Sequence, residues 1–93
     1  DERLKNNISE LSGSVDKINQ IRGVEFDWIP KEGVHENEGH DIGVIAQEIE
    51  KVFPEVVQTR ENGYKAVKYD KLTAVLISAI KELKAEIDEL KKK

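Results

Sequence analysis

Chemistry in this chain has to be sought among its histidines, its carboxylates and the amide of Gln47. The stretch His35-Glu36-Asn37-Glu38-Gly39-His40 superficially suggests a His-Glu-x-x-His zinc helix. Its histidines, however, stand one residue too far apart to share a helix face. Gly39 and the surrounding charge favour a solvated loop, so no metal site is expected. The carboxylate pairs Glu48/Glu50 and Glu36/Glu38 have spacings typical of exposed faces. There is no glycine-rich phosphate loop, Gly-x-Ser-x-Gly elbow or dinucleotide fingerprint, and no cofactor is expected. The absence of cysteine removes thiol nucleophiles, Cys-type zinc sites and disulfides together. Gln47 interrupts an apolar helical pattern; a buried amide needs partners, so there it would orient a neighbouring backbone segment. Trp28 and Tyr69 fall in phase with the apolar residues and read as core or subunit-interface aromatics.

The elements that would position these groups follow from periodicity. Ile8, Leu11, Val15, Ile18 and Ile21 recur at threes and fours, which predicts an amphipathic helix, with Asn7 and Glu10 as a capping box. Ser12, Gly13 and Ser14 are poor interior residues, so that helix should form only when packed. Gly23 ends it. Val24, Phe26 and Trp28 then alternate with Glu25 and Asp27 as in a half-buried strand closed by Pro30. Residues 31–41 read as a solvated loop or irregular hairpin. Ile42, Ile45, Ile49, Val52 and Phe53 restore the helical period up to Pro54, although Gly43 suggests an extended start. Asn62-Gly63 predicts a two-residue type I′ hairpin in which Glu61 faces Tyr64, Thr59 faces Ala66 and Val57 faces Lys68.

From about Asp70 a long helix runs to the end. Thr73, Ile80 and Ile87 take heptad position a, and Tyr69, Leu76, Leu83 and Leu90 take position d. These seven residues are the predicted oligomerisation seam. Across a parallel interface Glu86 would face Lys91 of a neighbour, while Asp88–Lys92 and Glu89–Lys93 would support the helix itself. Val75 and Ile77 lie off the seam and should dock on the chain's own body. The expected fold is α+β: short helices and a β-hairpin head (about 1–69), then a C-terminal helix (about 70–93) that associates like a coiled coil. One domain accounts for residues 1–93.

Composition sets the outer bounds. Apolar residues make up 38% of the 93, charged residues 37% and aromatics only 5%. A chain this short buries about two-thirds of its unfolded surface, so a lone core would be marginal and burial against further copies is expected. The net charge of −4 offers no basic footprint for nucleic acid or anionic membrane, and neither is expected as a partner. The longest aliphatic run, Ala74 to Ile77, is far too short to span a bilayer. The charged opening lacks a signal-peptide core, which suggests a soluble chain or a piece of a larger one.

Several blocks together are specific enough to suggest a family. The opening Asp1-Glu2-Arg3-Leu4-Lys5-Asn6-Asn7-Ile8 resembles the start of the C-terminal intramolecular chaperone domain of phage tail spikes and fibres, the chaperone-of-endosialidase or peptidase S74 family. The strand Val24–Trp28, the segment Ile42–Glu50, Phe53-Pro54-Glu55-Val56-Val57, Val67-Lys68-Tyr69, Leu72 and Ala79–Leu83 agree in order, so the resemblance covers essentially the whole chain.

It implies a homotrimer that helps an upstream β-rich stalk to fold and then cuts itself off, in the cytoplasm of an infected bacterium during assembly. The implied proteolytic pair is a serine just before Asp1 and the lysine matched by Lys5. The chain would then be the released, inactive product of a single turnover, with the cleavage site at Asp1. A serine hydroxyl becomes a nucleophile only when a base takes its proton. A lysine is such a base only when its pKa falls well below about 10, and burial or a cation such as Arg3 pushes that way. Asn6, Asn7 and Gln47 are candidate donors to the scissile backbone or an oxyanion.

Isoleucine at a with leucine at d favours two strands in isolated parallel zippers, whereas the resemblance implies three. The rival reading is a non-proteolytic trimerisation or helix-mediated interaction module. A nucleotide-dependent enzyme has no phosphate-binding motif in its favour.

Overall fold

Apolar residues from the middle of the chain close on one another across one short helix, one hairpin and the start of the last helix. The computed structural model describes all 93 residues. A single 3₁₀ turn, Glu2–Leu4, opens the chain, followed by helix α1 (Ser14–Ile18), strands β1 (Val24–Asp27) and β2 (His40–Gly43), and helix α2 (Ala46–Val52). After a second 3₁₀ turn, Pro54–Val56, come β3 (Val57–Thr59), β4 (Lys65–Val67) and the long helix α3 (Tyr69–Lys91). The architecture is α+β, as predicted, with two separate antiparallel two-stranded sheets.

The core consists of Ile49 and Phe53 from the α2 segment, Val56 and Val57 beyond Pro54, and Leu72 and Val75 from the first turns of α3. Ile18, Ile21, Val44, Ala46, Val52 and Val67 pack around it. Pro54 suits its place because a helix start has no use for the N–H that proline lacks. Two ion pairs brace this core: Arg22 with Glu48 on α2, and Lys65 on β4 with Glu50 at 2.8 Å. Only eight residues are buried, so each carries much of the stability. Ile49→Val, which removes one methylene from a fully buried side chain, should cost about 0.5–1.5 kcal/mol. Thermal melts at fixed protein concentration should therefore show a drop of several degrees; an unchanged melt would place Ile49 outside the cooperative core.

Local backbone chemistry revises three sequence expectations. The first concerns the long amphipathic helix, of which only Ser14–Ile18 forms. Asn7 has φ 54° and Gly13 φ 70°, both left-handed, and these interrupt the helical course before Ser14. Ile8 and Leu11 are consequently exposed. The second concerns the β3–β4 hairpin, whose loop has three residues rather than two. Arg60 donates its N–H to Tyr64 O at 2.9 Å, Gly63 donates to Arg60 O at 2.8 Å, and Gly63 takes φ 86°. That is a type I turn followed by a left-handed glycine, and Asn62 spends its side chain accepting from the Tyr64 N–H. The register moves by one, pairing Val57 with Val67 and Thr59 with Lys65, which puts two valines opposite one another where Val57–Lys68 was expected. The third concerns residues 31–41, expected as a solvated loop or irregular hairpin: the hairpin holds, and β2 continues through the extended Ile42 and Gly43, pairing with β1 with Phe26 opposite Asp41.

Helix α3 differs along its length. Leu72, Val75 and Ala79 are buried against the body, but Ile77, expected to dock there, is exposed. Beyond Ala85, which still lines a groove with Glu10 and Leu11, the helix projects from the body, and the radius of gyration is 16.7 Å against about 12 Å for a compact chain of this length. Within the projection Asp88 pairs with Lys84 at 2.6 Å rather than with Lys92, one turn in the opposite direction.

Candidate functional site

Residues 1–7 hold most of the predicted chemistry. Asp1 caps the first 3₁₀ turn through its carboxylate, which accepts from the Arg3 N–H at 2.8 Å and from the Arg3 guanidinium at 2.6–3.1 Å. The Arg3 guanidinium is thus paired with the Asp1 carboxylate. Lys5 follows the turn in extended conformation (φ −127°, ψ 143°), its N–H donating to Glu2 O at 3.1 Å. Lys5, Asn6 and Asn7 are all exposed. Gln47 lies on the outer side of α2 and is exposed, so the buried amide expected there is absent. No side-chain hydrogen bond links Lys5, Asn6, Asn7 and Gln47. In a single copy these residues do not form a closed pocket.

The second region is the outer face of α3. Tyr69, Leu76, Ile80, Leu83, Ile87 and Leu90 are between 45% and 65% exposed, and Thr73 is exposed with them. The heptad residues read from the sequence therefore form one continuous face that the chain's own body leaves open. Leu72 and Ala79 flank this face on the body side, and exposed Ile77 widens it on the other. The stripe is thus an exposed apolar surface on one side of the helix.

A third cluster was not foreseen. Gly13, having no side chain, cannot cap α1. Glu82 does so from across the chain, its carboxylate accepting from the Ser14 N–H at 3.0 Å and the Val15 N–H at 2.9 Å. The Val15 amide above all, then those of Ser14 and Gly13, hold the Glu82 carboxyl below the ordinary glutamate range. Ser14, the one buried polar residue, donates from Oγ to Ser78 Oγ at 2.8 Å. Ser78 Oγ in turn donates to Leu11 O at 3.2 Å. The available signal was the placing of two polar residues, Ser78 and Glu82, one helical turn apart beside the body-facing Val75 and Ala79.

The motif around His35 and His40 is a braced hairpin. The Trp28 indole N–H donates to Asp41 at 3.0 Å and lowers its carboxyl pKa. The ring packs edge-on against Phe26 and 4.9 Å from His35. His40 lies 2.9 Å from Asp27 and 3.3 Å from Glu25, and these carboxylates, Asp27 first, raise its pKa above the ordinary histidine value. His35 bonds instead to Ile29 O and the Asn37 N–H, so the two rings serve different partners. No group of three potential ligands converges on a metal position, and no helix is long and apolar enough to cross a membrane.

Comparison with known proteins gives a consistent result. A family model described as chaperone of endosialidase, Peptidase_S74, matches residues 1–58. The chain is 32% identical over 100 residues to the long tail fiber protein Gp37 of Enterobacteria phage K3, a match covering all of the chain and 8% of that protein. It is 34% identical over 99 residues to Gp37 of Salmonella phage S16, covering 99% of the chain and 13% of the relative. With Gp37 of Enterobacteria phage M1 the identity is 33% over 95 residues, covering 98% and 38% respectively. The chain therefore spans only a minor part of the length of these relatives.

Proposed function

This chain belongs to the chaperone-of-endosialidase family, and on that premise we propose that it is an intramolecular chaperone for a phage fibre stalk. It trimerises through α3, aligns three upstream chains, and is then released by Ser–Lys self-cleavage. The observation that carries the reading is the open stripe on α3, continuous from Tyr69 to Leu90 on a chain with only eight buried residues. Three copies joined along that stripe would supply the burial each copy lacks. Exposed Ile77 beside the a positions favours a face shared with two neighbours over the narrower seam of a two-stranded zipper.

The chaperone role follows from topology. Stalk strands of separate chains meet only if their register is set, and non-local pairing is slow and prone to aggregation. A module that trimerises early raises the effective concentration of the three stalks. Cutting it away afterwards would remove the easy route back to the unfolded state and leave kinetic stability.

In the proteolytic step, Lys5 is the general base that takes the proton of a serine preceding Asp1. The serine oxygen bonds to the scissile carbonyl carbon, the C–N bond breaks as Lys5 returns the proton to the departing Asp1 amine, and water hydrolyses the ester left behind. Neighbouring surfaces in the trimer would desolvate Lys5, and Asn6, Asn7 or Gln47 would donate to the scissile backbone. Assembly takes place in the cytoplasm of the infected host. Mass spectrometry of the expressed full-length precursor tests this: two fragments are expected, the smaller beginning at Asp1. A single intact mass from correctly assembled trimers would leave the non-proteolytic trimerisation module as the reading.

A further inference from the structure

The N-terminal segment that carries the proposed cleavage chemistry is attached to the body at one place. Residues 1–13 are all exposed. From residues 1–12, the one hydrogen bond that reaches beyond α1 is the bond Leu11 O accepts from Ser78 Oγ at 3.2 Å. Immediately downstream, Glu82 grips the Ser14 and Val15 amides at 3.0 and 2.9 Å. Each proton in this network has one use: Ser14 Oγ–H goes to Ser78, and Ser78 Oγ–H goes to Leu11. The direction of the exit chain is therefore set by two side chains of α3, more than sixty residues away in sequence.

The attachment also lies on a particular side of that helix. Ser78 and Glu82 occupy heptad positions f and c, on the flank opposite the a/d stripe of Ile80 and Leu83. We infer that Glu82 and Ser78 are positioning residues for self-cleavage: they fasten each cleavage segment to the back of α3, so association through the front of the helix places all three segments equivalently. The inference rests on the proteolytic reading above. It assigns to Glu82 a role separate from association, since its carboxylate is spent within its own chain.

The test uses Glu82→Gln and Ser78→Ala in the full-length precursor, with amide exchange measured on the 93-residue chain. The glutamine loses one of the two acceptor oxygens; the alanine removes the donor to Leu11. Both variants should form trimers in wild-type yield yet cut themselves at least about tenfold more slowly, because small misplacements of reacting groups carry large rate penalties. In the isolated chain, Glu82→Gln should speed exchange at Ser14 and Val15 while Ile49 and Val75 stay protected. Cleavage at the wild-type rate in both variants would overturn the inference alone. So would slow cleavage accompanied by an equal loss of protection at Ile49 and Val75, since that marks general destabilisation. A wild-type precursor that assembles but never cuts would instead refute the proteolytic reading, and this inference with it.

Discussion

A precursor bearing Lys5→Ala should assemble into trimers and remain uncut. Removing a general base slows proton transfer by roughly 10²–10⁴-fold, and the loss is larger where nucleophile and base act as a unit. Stability should hardly change, because the Lys5 side chain is exposed and makes no hydrogen bond to the body. Effects on chemistry and on folding are therefore separable by placing sedimentation beside the time course of cleavage. Rapid processing of the variant would remove Lys5 from the role of base. Because Arg3 is paired with Asp1, Arg3→Ala should have a much smaller effect than Lys5→Ala, and the contrast checks that position rather than charge matters.

The second large effect concerns α3. Ile80→Asp together with Leu83→Asp should convert trimers to monomers and leave the stalk misassembled. Both side chains are substantially exposed in the single chain, so the monomer loses little by the change. In an associated seam each carboxylate would sit desolvated without a partner, at a cost above the ~2–7 kcal/mol of an unpaired neutral polar group. The trimer would incur that cost in every copy. Sedimentation equilibrium distinguishes the outcomes: a monomeric, folded double variant is expected, while an unchanged trimer would move the interface elsewhere on the molecule. A wild-type chain with dimeric mass would correct the stoichiometry while leaving the stripe as its interface. Leu72→Asp provides the contrasting case, since Leu72 is buried against the chain's own core and its replacement should unfold the body.

Much of this molecule is encoded over short distances. The alternation Val24-Glu25-Phe26-Asp27 became β1, the period through Ile49 and Val52 became α2, and the heptads from Tyr69 to Leu90 became α3 with their apolar face open. Each depends on which side of a helix or strand a residue occupies, and that is fixed by sequence spacing. The block Asp1–Ile8 likewise carries its family resemblance in residue order alone.

Tertiary structure decided the rest. The hairpin register turned on whether Asn62 would adopt a left-handed backbone or leave that to Gly63 alone, a choice that pairs Val57 with Val67. Helix α1 proved short because two left-handed residues precede it, and its missing cap arrives from Glu82, 68 residues beyond Ser14. Periodicity put Ile77 against the body and Gln47 among buried residues, yet both are exposed, since only the packed body determines which flank of a helix it covers. Local spacing specifies faces, but which faces meet depends on contacts between residues distant in sequence, whose free energy is set by the whole fold.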